Sequence, residues 1–146
     1  MIARVTPQYE AQPWRVATTQ HTRIDHLLEA VLNATSSDDP RELPRSWGEL
    51  EKELLDHLDF EETEIFPKAE RHLPATVARL RQEHRRIREL VCRLGVTADL
   101  HALGRWTALE LIELLRVHAA HEEMTLYPLS RSSASEAPTL LPAPIG

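Results

Sequence analysis

Little in this sequence supports a β-rich or disulfide-bonded fold. Of 146 residues only four are glycine and two are phenylalanine, which argues against a turn-rich β sandwich. The single cysteine, Cys92, has no partner for an intramolecular disulfide, and no Cys-x-x-Cys pair exists for a metal or a redox couple. A reducing cytoplasm is the expected home. No apolar run approaches the roughly 18 residues of a membrane span, and the N-terminal stretch MIARVTPQYEAQPW lacks a signal-peptide core, so a soluble, unexported protein is expected. The signatures GxxxxGK[ST], GxGxxG and GxSxG are all missing, which leaves nucleotide binding and serine-nucleophile chemistry without a foothold. Basic residues are the minority sign. Seventeen Lys and Arg against 23 Asp and Glu give a net charge of −6, which disfavours nucleic acid or an anionic membrane as partner.

What is abundant favours helix: Leu, Ala, Glu and Arg, in a chain of one-domain length. Four helices are expected, each with an apolar stripe at spacings of three and four. The first runs from about Thr18 to Thr35, with the stripe Ala17, His21, Ile24, Leu28 and Val31. The second opens at Ser46, whose Ser-x-x-Glu spacing to Glu49 reads as a capping box, and runs to about Phe66 before Pro67; its stripe is Leu50, Leu54, His57, Glu61 and Ile65. The third runs from Pro74 to about Leu94 with Gly95 as C-cap, on the stripe Val77, Leu80, His84, Ile87, Val91 and Leu94. The fourth runs from about Leu100 to Leu126, on Leu111, Leu115, His118, Glu122 and Leu126. Residues 1–15 read as a polar arm, 16–129 as the helical domain, and 130–146, rich in Ser, Ala and Pro, as a disordered tail. Trp47 and Trp106 are expected to pack at the bundle ends, and Cys92 to be a small packing residue.

The second half repeats the first. HTRIDHLLEAV aligns with HRRIRELVCRL at an offset of 63, pairing His21 with His84. HLDFEETEIFP aligns with HAAHEEMTLYP at an offset of 61, pairing His57 with His118, Glu61 with Glu122, Glu62 with Glu123 and Pro67 with Pro128. Two like hairpins joined by a short connection make an all-α, up-down-up-down four-helix bundle. In that topology the starts of helices one and three meet the ends of helices two and four, so the repeated polar residues converge.

Eight histidines are many for such a chain, and four of them interrupt apolar stripes, as do two glutamates. No lysine or arginine shares those stripes. A buried ionised carboxylate costs several kcal/mol unless it is paired, protonated or bound to metal. His-x-x-x-Glu places an imidazole and a carboxylate one turn apart on one face, within reach of one metal centre, and facing pairs of this kind build dinuclear sites in bundles. The candidate metal-ligating residues are therefore His21, His57, Glu61, His84, His118 and Glu122. If both glutamates bridge, roughly four of about twelve positions on two octahedral ions stay free of protein, enough for an oxo or hydroxo bridge and a small ligand. Imidazole with carboxylate suits iron or manganese; zinc and copper also accept imidazole. The acidic run Asp56, Asp59, Glu62 and Glu64 reads as a solvated face, with Glu62 and Glu123 alternatively as acceptors behind ligand imidazoles. His121 flanks the site without being expected as a ligand, and His26, His72 and His101 read as surface residues.

These six positions, with the blocks HLDFEETEIFP and HAAHEEMTLYP, resemble the hemerythrin-like family of HHE cation-binding domains. The resemblance runs from about His21 to Pro128. It implies a four-helix bundle with a non-haem di-iron centre, His21, His57, His84 and His118 as terminal imidazoles and Glu61 and Glu122 as bridging carboxylates. Arg88 stands where oxygen-carrying members have the second histidine of a His-x-x-x-His pair. The four-histidine, two-glutamate set looks more like the di-iron domain of proteins that repair iron–sulfur clusters after nitric oxide damage. The expected cofactor is two non-haem iron ions, with manganese or zinc as alternatives. The expected partner is a small diatomic or peroxide ligand, met in an oxygen, nitric oxide or oxidative-stress response. A sensing module without turnover and a zinc-occupied structural bundle are the other readings.

Overall fold

A computed structural model describes residues 12–99 and 101–129. The expected 130–146 tail and the first eleven residues of the expected arm lie outside the described residues. The elements are α1 (Pro13–Ala34), α2 (Glu42–Phe60), a π-helical turn (Glu61–Ile65), α3 (Phe66–Ala69), α4 (Pro74–Asp99) and α5 (Arg105–Thr125), with no strand among the described residues. Packing closes the ring α1, α2, α4, α5 and back to α1. The expected four-helix bundle is borne out. No described helix is long and apolar enough to cross a membrane.

The core is two apolar clusters with a polar layer between them. The larger holds Ile24, Leu28, Leu54, Leu58, Ile87 and Leu115 and continues to Trp47 at the far end. The smaller, toward the start of α1, holds Ala17, Ile65, Phe66, Leu80, Leu126 and Tyr127. Along each stripe the residue on one side of the histidine joins the first cluster, and the residue on the other side of the polar positions joins the second. The layer is thus fixed by apolar packing above and below it.

Several helix ends differ from the sequence expectation. Helix α1 starts at Pro13, a proline placed in the first turn, where a missing N–H costs nothing; Trp14 and Arg15 of the expected arm are therefore helical. Helix α2 starts at Glu42, so Ser46 lies inside it and is buried, and the Ser46–Glu49 pair is no cap. The real start is marked upstream: Asp39 Oδ1 accepts from the Arg41 N–H at 2.9 Å. Pro67 does not end the second helix. The chain widens into the π turn, where the Phe66 N–H donates to the Glu61 carbonyl five residues back, and continues to Ala69. That register shift buries both Ile65 and Phe66 beside Glu61.

Gly95 is not a C-cap either. Helix α4 runs through it to Asp99, and a Cβ at Gly95 would stand 3.1 Å from the indole nitrogen of buried Trp47, so the glycine serves a close approach between α4 and α2. The stop comes at His101, whose φ of 57° is left-handed; its N–H donates to the Ala98 carbonyl and the Ala102 N–H to the Thr97 carbonyl. This is the hydrogen-bond pattern of a Schellman cap with histidine where glycine is usual. Helix α5 then begins at Arg105 with Gly104 as N-cap, not at Leu100. Two surface assignments also change. Trp106 is 79% exposed instead of packed at a bundle end, and Cys92 is exposed instead of packed in the core.

Candidate metal centre

The polar layer is made of the six stripe residues. His57, Glu61, His84, His118 and Glu122 are buried, and His21 keeps 11% of its side chain exposed. Helix α1 delivers His21, α2 and its π turn deliver His57 and Glu61, α4 delivers His84, and α5 delivers His118 and Glu122. All six point their reactive atoms inward. His57 Nε2 lies 2.7 Å from Glu61 Oε1, and His118 Nε2 lies 3.1 Å from Glu122 Oε1, each pair one helical turn apart. Across the bundle, His21 Nε2 is 3.5 Å from Glu122 Oε1, and His84 Nε2 is 3.6 Å from Glu61 Oε1 and 3.5 Å from Glu122 Oε2.

Two overlapping clusters result. One atom each from His21, His57, Glu61 and Glu122 lie within 4.8 Å of one another, and so do one each from Glu61, His84, His118 and Glu122. Both glutamates belong to both clusters.

Each imidazole has an oxygen behind it, hydrogen-bonded for His21, His57 and His84 and 3.4 Å away for His118. The Nδ1 of His21 donates to Glu123 Oε1 at 3.2 Å, that of His57 to Gln20 Oε1 at 2.7 Å, and that of His84 to Glu62 Oε1 at 3.1 Å. His118 Nδ1 lies 3.4 Å from Glu83 Oε2, whose other oxygen is 3.2 Å from His121 Nδ1. With the hydrogen on Nδ1, the Nε2 lone pair faces the layer, the arrangement that orients histidine toward a cation. Glu62 is in turn gripped by Arg88, which also bonds Asp59, each at 2.8 Å. Of the two readings of Glu62 and Glu123, the structure places both carboxylates behind imidazoles. His121 flanks the site through Glu83 and is in neither cluster, while His26, His72 and His101 are exposed as expected.

This layer fits cations and fits poorly as a hydrogen-bonded core. His84 Nε2, His118 Nε2, Glu61 Oε1 and both carboxylate oxygens of Glu122 are buried without a hydrogen-bond partner. His21 Nε2 and His57 Nε2 face each other at 3.0 Å while each Nδ1 is engaged on the far side of its ring. Burial raises both carboxyls: Glu122, with Glu61 beside it, goes well above the usual carboxylate range and takes the proton. Against the same burial, Glu122, His57 and His84 hold Glu61 well below that range, so it stays ionised. Burial also lowers His118, and it lowers His84 to about 4 despite nearby Glu61. Both rings are neutral near pH 7, as metal ligation requires.

Sequence reasoning missed three participants. Gln20 and Glu83 each precede the first histidine of a repeat, and they correspond at the same offset of 63 that pairs His21 with His84. Tyr127, matched with Phe66 at the offset of 61, is buried and donates its hydroxyl to Glu61 Oε2 at 3.1 Å. Aligning the residues beside the ligands, as well as the ligands, would have found all three.

A small cavity of about 50 Å³ adjoins the layer. It touches His21, His57 and His118, and its walls include Leu28, Leu54, Leu58 and Leu115. Asp25 and Arg116 also border it, joined at 2.8 Å, with Glu29 on the same guanidinium at 3.0 Å.

The family model of the hemerythrin HHE cation binding domain matches residues 12–130. No curated protein and no solved structure gives a significant match.

Proposed function

This chain belongs to the hemerythrin HHE cation-binding domain family, and from that premise we propose that it is a non-haem di-iron protein. Its centre binds or reacts with dioxygen, nitric oxide or a peroxide, in an oxygen, nitric oxide or oxidative-stress response in a reducing cytoplasm. The observation that carries this reading is that both buried glutamates belong to both four-residue clusters. One cation shared by all six residues would leave no reason for two such sets, whereas carboxylates common to both suit a bridged pair. Two iron ions supply a Lewis-acidic, redox-active pair when bound.

The chain's own residues set the conditions. His21, His57, His84 and His118 offer Nε2 atoms, and the oxygens behind the rings orient them. Glu61 and Glu122 bring the negative charge that divalent or trivalent ions balance. The leucine-lined cavity limits what can approach. A single water needs roughly 10–15 Å³ of such space, so a ligand of a few heavy atoms fits beside the histidines and a metabolite does not. An apolar wall favours uncharged ligands, since a charged one would be stripped of water there without compensation.

Metal analysis of protein made in iron-replete cells is expected to find two irons per chain. Aerobic and anaerobic absorption spectra are expected to differ in the near ultraviolet as the ferric pair forms. One stoichiometric zinc per chain, with no spectral change on exposure to air, would overturn the reading.

A further inference from the structure

The sequence repeat is imperfect, and two of its mismatches fall on one side of the centre. Where the second hairpin has Tyr127 the first has Phe66, and where it has Glu83 the first has Gln20. The two rings hold matched places: that of Phe66 lies 4.8 Å from the His84 ring, and that of Tyr127 lies 5.5 Å from the His21 ring. Both side chains are fully buried in the small apolar cluster that closes this end of the bundle. Phenylalanine would complete that cluster, and a hydroxyl there is costly unless something uses it.

The hydroxyl is aimed at the polar layer. Its oxygen lies 3.1 Å from Glu61 Oε2 and 3.1 Å from His21 Nε2. Its hydrogen goes to Glu61, and its oxygen stands beside the ring nitrogen that His21 turns to the layer, with Glu123 on the other side of that ring. The same spacing separates candidate ligand atoms from one another, 3.0 Å between His21 Nε2 and His57 Nε2 and 3.1 Å between His118 Nε2 and Glu122 Oε1. The His57 nitrogen and the phenol oxygen thus both stand within 3.1 Å of His21 Nε2.

Charge points to the same half. His84 and His118 have carboxylates behind both rings, Glu62 and Glu83, whereas His21 and His57 have one carboxylate, Glu123, and the neutral amide of Gln20. The half with less negative charge behind its histidines is the half next to the phenol.

We propose that Tyr127 is an oxygen ligand of the cation held by His21 and His57, a seventh protein donor that makes the two cation positions chemically different. The inference rests on the two-cation reading of the site. As the cation binds, the phenol proton leaves to solvent and the oxygen lone pair is given to the metal; tyrosine oxygen is a known type of iron ligand. Phe66 offers nothing equivalent to the other position.

The test is the ferric-loaded protein and its Tyr127→Phe variant, which removes only the hydroxyl and repeats the residue of the first hairpin. Wild type is expected to show visible phenolate-to-iron charge-transfer absorption with tyrosinate ring modes in resonance Raman spectra, and Tyr127→Phe to lose both while holding two irons. Two irons bound without those signals in wild type would overturn the inference and leave the di-iron reading intact. Fewer than two irons would overturn the di-iron reading, and titration of metal-free protein with cobalt(II) then decides the role of Tyr127. Ultraviolet tyrosinate absorption that grows in as wild type binds cobalt(II), and does not in Tyr127→Phe, supports it, and binding without that change in wild type overturns it.

Discussion

His21 and His57 present their Nε2 atoms to each other across 3.0 Å while Glu123 and Gln20 hold the Nδ1 hydrogens on the far sides of the rings. A cation bound there would be shared by both nitrogens, and its binding free energy would add to the stability of the fold. Thermal unfolding with and without added iron(II) under anaerobic conditions should show a clear rise in Tm on loading. Ligand at about a hundred times its Kd stabilises by about 2.7 kcal/mol. An unchanged Tm would mean that the layer is not a cation site.

Glu61 and Glu122 each serve both clusters, whereas each histidine serves one. Glu61→Ala and Glu122→Ala are expected to reduce metal content to below one ion per chain. His118→Ala is expected to spare the ion of the His21–His57 half. Elemental analysis, with circular dichroism to confirm helicity, distinguishes the two patterns, and a glutamate variant retaining full metal would show that the bridge is misplaced.

The metal-free protein should have a pH dependence set by the buried layer. The folded chain keeps a proton on Glu122, which an unfolded chain releases around pH 4.5, so stability from this group falls as pH rises above that value. His84 acts in the opposite sense. Its folded value of about 4 lies below the ordinary 6.5, so the unfolded chain binds the extra proton first and stability falls as pH drops from 6.5 toward 4. Denaturant unfolding of Glu122→Gln beside wild type should show the variant gaining relative stability as pH rises from 5 to 8, within roughly the range where such buried carboxyls titrate. Parallel curves would contradict the assigned proton.

Access through the apolar cavity is testable without touching the ligands. Leu28→Phe should fill part of the 50 Å³ space and slow the reaction of reduced protein with nitric oxide in stopped-flow measurements, with metal content unchanged. Arg116→Ala removes the ion pairs to Asp25 and Glu29 at the border and should speed it. Equal rates in all three proteins would place the entry route elsewhere.

His101 takes the left-handed position that ends α4, with φ 57°. A side chain there costs about 1–2 kcal/mol that glycine avoids, less the entropy glycine gains on unfolding. His101→Gly should therefore raise stability by about 1 kcal/mol without altering metal content, read from chemical denaturation. A lower Tm would show that the imidazole contributes something beyond the cap.

The sequence by itself determined the bundle, its duplicated hairpins, and which six polar residues stand in apolar stripes, because helical periodicity converts spacing directly into facing. His57 and Glu61 share a face by local geometry alone, as do His118 and Glu122. Helix ends were less legible, because caps depend on local backbone geometry that periodicity does not encode: Ser46 resembles a cap yet lies inside α2, and Gly95 resembles a stop yet makes room for Trp47. Only the tertiary structure decided what stands around the six. Gln20 meets His57, Glu83 meets His118, and Tyr127 meets Glu61 across separations of 37, 35 and 66 residues. Those pairings depend on the crossing and rotation of whole helices and on the π turn that Pro67 accommodates, which no local window contains. The chain placed the donors on their faces; the packing of four helices around them set which oxygen stands behind each imidazole and put one phenol beside one half of the centre.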